Sequence, residues 1–228
     1  MTNNSPRSIV ERINKKYPKY PPTIYSHKWI YGTWYCGTSW QKAIYYGQFP
    51  STFVKRILAG FPTKENRFLH SCCGRCRIDG AINLDIHNLP EVDQIADVEN
   101  LPFSDNSFDV ILIDPPYSEE DASRYKVKRL INSRKTMTES KRVLVPGGWL
   151  LWLDEKYPSF RRKDWELKGL IGIVTGFERR TRLLSMWRKP MHAQQEMRFN
   201  ESESNIKTQI AYPQPKNETP VFDGGGVD

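Results

Sequence analysis

The tetrad Asp114-Pro115-Pro116-Tyr117 is the segment of this sequence best suited to chemistry. It follows the apolar run 110–113, which is typical of a buried strand in a parallel sheet. A carboxylate, two prolines and an aromatic ring at the end of such a strand form a rigid, partly polar wall. That wall suits a flat ring bearing an exocyclic amine, because the carboxylate can accept the amine protons and the aromatic ring can stack on the acceptor. The tetrad therefore predicts transfer to an amino nitrogen, with a nucleobase as the acceptor.

Strands and helices alternate through the middle of the chain. The pattern predicts strands at 67–70, 81–84, 108–113 and 149–153, and helices at 8–16, 51–58 and near 131–143. Strands at 167–175 and 181–187 are expected to form a hairpin at the end of the sheet, and residues 146–148 to end the third helix. This order predicts an α/β fold with an open, mainly parallel sheet, whose ligands bind at the carboxyl ends of the strands. Asp85, Asp97 and Asp114 are all expected at that edge.

Composition limits the partners and the location. The chain of 228 residues has a net charge of +8 and a mean hydropathy of −0.64. It has no apolar stretch of about 20 residues and no apolar leader, so we expect a cytoplasmic protein without a membrane partner. From Met191 onward, three Lys and Arg face six Asp and Glu. The basic excess therefore lies before Met191, and it favours a polyanionic partner.

Three segments resemble class I S-adenosylmethionine-dependent methyltransferases. Residues 96–110 (ADVENLPFSDNSFDV) are similar to the family's run between a cofactor strand and the catalytic strand, and residues 142–150 (RVLVPGGWL) to a later helix-turn-strand. The tetrad resembles the DPPY motif of DNA N6-adenine methyltransferases. The resemblance implies one Rossmann-like domain over residues 50–190, with a mainly parallel, seven-stranded-type sheet and a C-terminal antiparallel hairpin. Residues 1–49 would form a basic, aromatic-rich extension, and 191–228 a polar tail expected to be disordered.

The resemblance also implies S-adenosyl-L-methionine as the cofactor and assigns residues to it. The first cofactor turn would comprise His70, Ser71, Cys72 and Gly74, with His70 at the position of a common acid. Asp85 with Ile86 would hold the ribose hydroxyls, and Asp97 with Val98 the adenine. Only eleven positions separate Gly74 from Asp85, which predicts that the family's first helix is missing or reduced. Arg75 or Arg77 could then supply positive charge for the cofactor's carboxylate.

The tetrad is expected to activate a weakly nucleophilic amine. Asp114 and the Pro115 carbonyl would accept its two protons, Pro116 would fix the turn, and Tyr117 would stack on the base. In a duplex the base must first be flipped out. The predicted reaction is methylation of adenine N6 in DNA. An RNA base, cytosine N4 and a catalytically silent nucleic-acid-binding subunit remain alternatives.

The remaining expectations concern binding groups. Phosphate contacts are expected from a basic loop that follows the tetrad, comprising Arg124, Lys126, Lys128 and Arg129. Three of the four cysteines lie within residues 72–76, where their spacing favours the lining of a turn over a metal site, so no metal is expected. The aromatic residues of segment 25–49 could stack bases, although packing is the favoured interpretation. The oligomeric state, monomer or homodimer, stays open.

Overall fold

The computed structural model describes residues 4–19, 21–37, 49–50, 52–175 and 181–191. One compact unit extends over Met1–Pro190, and every described helix and strand lies in it. The second unit, Met191–Asp228, lies outside the described residues apart from Met191, and so does the predicted disorder of the tail. No helix among the described residues is both long and apolar enough to cross a membrane.

A nine-stranded mixed sheet forms the centre of the compact unit. The elements in chain order are α1 (Pro6–Lys16), β1 (Ile24–Ser26), β2 (Trp29–Tyr35), α2 (Phe53–Gly60), β3 (Phe68–Ser71), β4 (Ala81–Asp85), β5 (Gln94–Ile95), β6 (Phe108–Ile113), α3 (Glu119–Arg124), α4 (Ser133–Val143), β7 (Leu144–Asp154), β8 (Glu166–Val174) and β9 (Arg182–Arg188). The strand order in the sheet is β1-β2-β8-β9-β7-β6-β3-β4-β5. The pairs β2–β8, β3–β4, β3–β6, β4–β5 and β6–β7 are parallel. Strand β9 runs antiparallel to both β7 and β8, and β1 runs antiparallel to β2.

The α/β fold and the antiparallel pair at its C-terminal end are confirmed. The sheet has two more strands than the seven expected, because the N-terminal segment contributes β1 and β2. Strand β2 pairs in parallel with β8, from Ile30 opposite Gly169 to Tyr35 opposite Val174. Because β2 pairs residue by residue with β8, the N-terminal segment is part of the same sheet and extends it by two strands.

Two apolar layers cover opposite faces of the sheet. On one face, α1 and α2 bury Ile9, Ile13, Phe53 and Ile57. Gly60 permits the close approach of these helices, since a Cβ there would lie 3.1 Å from side-chain atoms of Ile9 and Ile13. On the other face, α4 contributes Met137 and Val143 to a second core. Because both faces of the central strands are covered, those strands are apolar without alternation.

Local sequence explains where the helices begin. Ser5 caps α1 by accepting a hydrogen bond from the Ser8 amide at 3.2 Å, and Asn132 caps α4 in the same way. Thr52 precedes α2 without a side-chain capping bond. The charged segment after the tetrad, which was predicted as a loop, contains the short helix α3, capped by the Ser118 side chain.

Two connections bear on the candidate site. Residues 72–80, all of which are described, form turns and no helix between β3 and β4, which confirms the predicted loss of the first helix. The prediction that residues 146–148 end a helix was wrong, because α4 ends at Val143 and β7 begins at Leu144. Hydrogen bonds of 2.9 Å between Gly147, Gly148 and Lys189 continue the pairing of β7 with the end of β9.

Candidate active site

Strand β6 places Asp114 at the carboxyl edge of the sheet. Its residues Val110 to Ile113 are fully buried between β3 and β7, so the chain emerges at one fixed point. Asp114 itself is half-buried and accepts a hydrogen bond from the Tyr117 hydroxyl through Oδ1. The next residue, Pro115, is buried, and none of the hydrogen bonds among the described residues uses its carbonyl. One carboxylate oxygen and one carbonyl oxygen are thus available to a bound molecule.

The environment of Asp114 changes its acidity. Burial raises the pKa of Asp114 to about 6, although the positive charge of Arg182 and the hydrogen bond from Tyr117 oppose this rise. The nearby carboxylates of Asp154 and Asp121 make smaller contributions to the same rise in the pKa of Asp114. Burial also raises the pKa of Tyr117 well above its ordinary value, so its hydroxyl keeps its proton and remains a donor. At neutral pH Asp114 is mostly ionised and accepts hydrogen bonds.

A cleft of about 620 Å³ opens beside the tetrad. Aromatic and aliphatic side chains dominate its walls, with a few polar groups among them. Its lining consists of Pro115, Pro116, Tyr117, Leu130, Ile131, Ser133, Trp152, Asp154, Lys156, Tyr157, Pro158, Ser159 and Phe160. A largely apolar cleft with a few convergent polar groups is typical of a site for a small or planar molecule. We call it the acceptor cleft.

Asp85 lies at the end of β4 and organises the turn that follows β3. One carboxylate oxygen accepts the Gly74 amide at 2.9 Å, and the other accepts the His87 amide at 3.0 Å. Each oxygen keeps a second lone pair, so the carboxylate can also accept two hydroxyls of a diol. Gly74 has φ +50, and a Cβ added there would meet nothing within 4 Å. The turn therefore leaves open space above its backbone, and this space fits the approach of a cofactor.

Asp97, Val98 and Ile86 surround the same edge. Asp97 is exposed, and its carboxylate accepts the Glu99 amide at 2.9 Å, which fixes the loop after β5. Val98 is buried beneath it, whereas Ile86 is 52% exposed beside Asp85. The exposed side chain of Ile86 could pack against a purine ring. Asp97 could then accept a hydrogen bond from the edge of the ring, and Asp85 from the attached sugar.

His70 and Ser71 face the protein interior. Both are fully buried, and His70 Nδ1 lies 3.2 Å from the Asn83 side-chain oxygen. Burial lowers the pKa of His70 to about 4, so the ring is neutral at physiological pH. The His70 ring also lies 5.7 Å from that of Phe49. His70 therefore has the interactions of a core side chain, and a neutral imidazole does not supply the anionic contact expected of an acid at this position.

The cysteines line the turn as free thiols. Burial raises the pKa of Cys73 to about 12 and that of Cys76 to about 11, so both stay protonated at neutral pH. Burial raises the pKa of Cys72 as well, with further contributions from Asp85, Asp114 and Asp97. The charges of all three predicted carboxylates thus act on this one thiol. The described residues contain no group of three or more His, Cys, Asp and Glu that could hold a metal ion.

The predicted phosphate-binding residues differ from one another. Arg129 pairs with Glu99 through two nitrogens, and Arg124 pairs with Glu120 within α3. Lys126 and Lys128 are exposed, and no ion pair among the described residues involves them. Arg129 therefore ties the loop after α3 to the loop that carries Asp97, while the two lysines are the members of this set most accessible to a phosphate.

Sequence reasoning missed two members of the site. Asp154 follows the apolar strand 149–153 as Asp114 follows 110–113, so the same signal was available for it. Arg182 was not predicted as a site residue, yet its guanidinium carbon lies 5.6 Å from the centre of the Tyr117 ring. No local pattern indicates this contact, because it depends on the antiparallel insertion of β9 between β7 and β8.

Comparison with known proteins supports a methyltransferase in the central part of the chain. Residues 66–152 match the family model of the methyltransferase domain, Methyltransf_11. A curated relative, phthiotriol/phenolphthiotriol dimycocerosates methyltransferase 1 of Mycobacterium ulcerans (strain Agy99), is 40% identical over 82 residues. This match spans 35% of the present chain and only 26% of the relative.

Solved structures with a similar chain trace are distant in sequence. The 1,6-didemethyltoxoflavin-N1-methyltransferase of Burkholderia thailandensis is 14% identical, with a TM-score of 0.41 over 55% of this chain and 71% of that one. A SAM-dependent methyltransferase of Methanosarcina mazei is 13% identical, with a TM-score of 0.36 over 56% and 93%. These similarities are too distant to assign an acceptor. The family match, together with the observed strand order, supports residues 66–152 as a methyltransferase domain with S-adenosylmethionine as its cofactor.

Proposed function

We propose that this protein transfers a methyl group from S-adenosylmethionine to the exocyclic amine of a nucleobase, with adenine N6 in DNA as the first acceptor to test. The observation that carries the proposal is the pair of acceptors at the end of β6. Asp114 keeps one carboxylate oxygen beyond its bond from Tyr117, and the Pro115 carbonyl has no partner among the described residues. Both lie beside the acceptor cleft, whose walls are apolar enough for a planar ring.

The chain's own residues would prepare the amine for attack. When bound, S-adenosylmethionine would supply the methyl group by cleavage of its sulfonium S–CH3 bond, with S-adenosylhomocysteine as the leaving group and one amine proton released to Asp114 or to water. Asp114 and the Pro115 carbonyl accept the two amine protons, which directs the nitrogen lone pair away from the base plane. The Tyr117 hydroxyl bond fixes the Asp114 carboxylate before the acceptor arrives, so little reorganisation is required during the reaction. Asp85 and Asp97 hold the donor at the same edge.

Surface features support a nucleic acid as the carrier of the base. Trp29, Tyr31 and Tyr35 are between 41% and 50% exposed along β2, and Tyr35 ends at the same sheet edge as Asp114, because β2 runs in the direction of β6. Exposed aromatic rings on a strand can stack on unpaired bases. Lys126 and Lys128, exposed after α3, offer phosphate contacts. The favoured packing of the N-terminal aromatic residues therefore holds for Trp34, which is 1% exposed, but not for these three.

A second candidate acceptor is a hydroxyl group on a small aromatic or lipid-like molecule. The local similarity to the Mycobacterium ulcerans methyltransferase favours it, as do Trp152 and Phe160 in the cleft. In that reaction Asp114, with a pKa of about 6, would remove the hydroxyl proton as a general base. The nucleobase remains the first candidate, because two acceptors at the tetrad match the two protons of an amine.

Methyl transfer from labelled S-adenosylmethionine tests both candidates. The purified protein is incubated with double-stranded DNA, single-stranded DNA, RNA and a panel of phenols and hydroxylated lipids, and the nucleosides are analysed by mass spectrometry. We expect N6-methyladenine from DNA, and its loss in Asp114→Asn. Label found only in the phenol or lipid fractions would replace the first candidate by the second. Cofactor binding without transfer to any of these would favour the silent subunit.

A further inference from the structure

Arg182 is a half-buried cation to which the proposed reaction assigns no role. It is the first residue of β9, and it lies opposite Ile173 near the end of β8. Its Nε and Nη1 atoms are buried, and neither has a hydrogen-bond partner among the described residues. A guanidinium removed from water without partners is costly, so such a group indicates an anionic ligand that completes the site.

The position of Arg182 indicates which ligand this is. Its guanidinium lies over the Tyr117 ring, and its charge opposes the rise in the pKa of Asp114, so it faces the catalytic residues. Arg182 does not contribute to the lining of the acceptor cleft, although Tyr117 does. Arg182 therefore contacts Tyr117 from outside that cleft. This placement favours the methyl donor over the acceptor as its partner.

The order of groups along the sheet edge agrees with this assignment. Asp97 follows β5, Asp85 ends β4, Asp114 follows β6, and Arg182 begins β9, two strands beyond β6. Adjacent strands are about 4.8 Å apart, so the side chain of Arg182 spans the remaining gap to Tyr117. A donor whose adenosine is held by Asp97 and Asp85 and whose sulfonium faces Asp114 extends its amino-acid end toward β9.

The missing helix removes one common binding group for the donor's carboxylate, and an arginine can replace it. Residues 72–80 provide no helix N-terminus to bind a carboxylate. Arg77, considered from the sequence for this task, instead pairs with Asp93 at 2.8 Å and donates to the Glu91 carbonyl. Arg75 is exposed on the surface of the turn. We propose that Arg182 binds the α-carboxylate of the methionine part of the donor, an inference that rests on the proposed use of S-adenosylmethionine.

Calorimetry with two ligands separates this contact from the rest of the site. S-adenosylhomocysteine carries the amino-acid end, whereas 5′-methylthioadenosine keeps the adenosine and the sulfur but lacks the carboxylate. We expect Arg182→Gln to weaken S-adenosylhomocysteine by about 10-fold or more and to leave 5′-methylthioadenosine within about twofold. Arg182→Lys should restore part of the loss. Arg75→Gln is the matched control, and it should change neither affinity.

Several results would overturn the assignment. Unchanged S-adenosylhomocysteine affinity in Arg182→Gln would remove Arg182 from the donor site, and equal losses for both ligands would make it a positioning residue. A selective loss in Arg75→Gln would transfer the role to Arg75. If Arg182→Gln binds the donor normally and loses only DNA affinity in a filter-binding assay, the anion is a phosphate of the acceptor. Failure of the wild-type protein to bind either ligand would refute the proposed function itself, which makes the two failures distinguishable.

Discussion

Replacing Asp114 by asparagine should inactivate the protein and stabilise it at the same time. Burial raises the pKa of Asp114 from 3.8 to about 6 in the folded state. In the unfolded chain the carboxyl group returns to its ordinary acidity, so at neutral pH ionisation favours unfolding. Each unit of pKa difference corresponds to about 1.4 kcal/mol, so ionised Asp114 lowers the free energy of unfolding by at most about 3 kcal/mol. Asp114→Asn removes this cost and keeps an oxygen that can accept from Tyr117.

The sign of the effect follows from the direction of the pKa change. Well below pH 3.8 the carboxyl is protonated in both states, so the stability difference between wild type and variant should approach its smallest value at the acidic end of the range. The difference should grow as the pH rises from 4 to 6 and stay constant above that, with the variant more stable. Urea unfolding followed by tryptophan fluorescence at pH 4, 5, 6, 7 and 8 measures it. Methyl transfer should fall by about 100-fold or more in the same variant, because an amide offers one acceptor oxygen without charge.

Asp109 provides a control at the other end of β6. Burial alone would raise its pKa, but hydrogen bonds from Arg67, one of 3.0 Å, hold the pKa of Asp109 below its ordinary value. Asp109→Asn should therefore destabilise the protein at neutral pH and leave methyl transfer by the folded fraction unchanged. A raised pKa of Asp114 in the folded protein is refuted if Asp114→Asn is no more stable than wild type at pH 8, or if the difference in stability does not depend on pH.

Three further predictions test the tetrad, the carboxylate of Asp85 beside the turn at residues 72–80, and the packing of α1 on α2. Tyr117→Phe removes a hydrogen bond that lowers the pKa of Asp114, so the acidic limb of the pH profile of kcat/KM should move to higher pH. An unchanged acidic limb would show that this hydrogen bond does not form in solution. Asp85→Asn places an amide donor against one of two backbone N–H groups, so calorimetry should show about 10-fold weaker S-adenosylhomocysteine binding, and equal affinity would exclude Asp85 from the donor site. Gly60→Ala adds a methyl group 3.1 Å from the Ile13 side chain, so urea unfolding should show a free energy of unfolding lower by about 1–3 kcal/mol. An unchanged free energy of unfolding would show that α1 and α2 can move apart without cost.

The central part of the fold could be predicted from the sequence because its signals are local. Strand β6 was predicted at its observed bounds, since the apolar run 110–113 lies between the turn at 105–107 and two prolines, which leaves little freedom. The position of Asp85 at a strand end, and the absence of a helix before it, followed from counting residues. These features depend on a few neighbours in the chain, which the sequence shows directly.

The parts that could not be predicted depend on contacts distant in sequence. Nothing near Trp29 indicates that β2 pairs with β8, more than 130 positions later. The partners of Arg129 and Arg182 could not be predicted either. Arg129 pairs with Glu99, 30 positions away, and Arg182 contacts Tyr117 only because of the strand order in the sheet. A charged side chain on the surface and one committed to an ion pair look the same in a sequence.

Side-chain hydrogen bonds, and not a helix, hold the turn at residues 72–80 between β3 and β4. The buried Asn83 side chain accepts the Ile78 amide at 2.9 Å and donates to the Ile78 and Ala81 carbonyls and to Asp93. Hydrogen bonds from Asn83 and from Arg77 lower the pKa of Asp93 to about 2, so this anion stays charged and bonded at any physiological pH. These contacts hold residues 72–80 in the conformation that aims the Gly74 amide at Asp85. They also commit Arg77 to the turn itself, which is why the carboxylate contact proposed above comes from Arg182, in another part of the sheet.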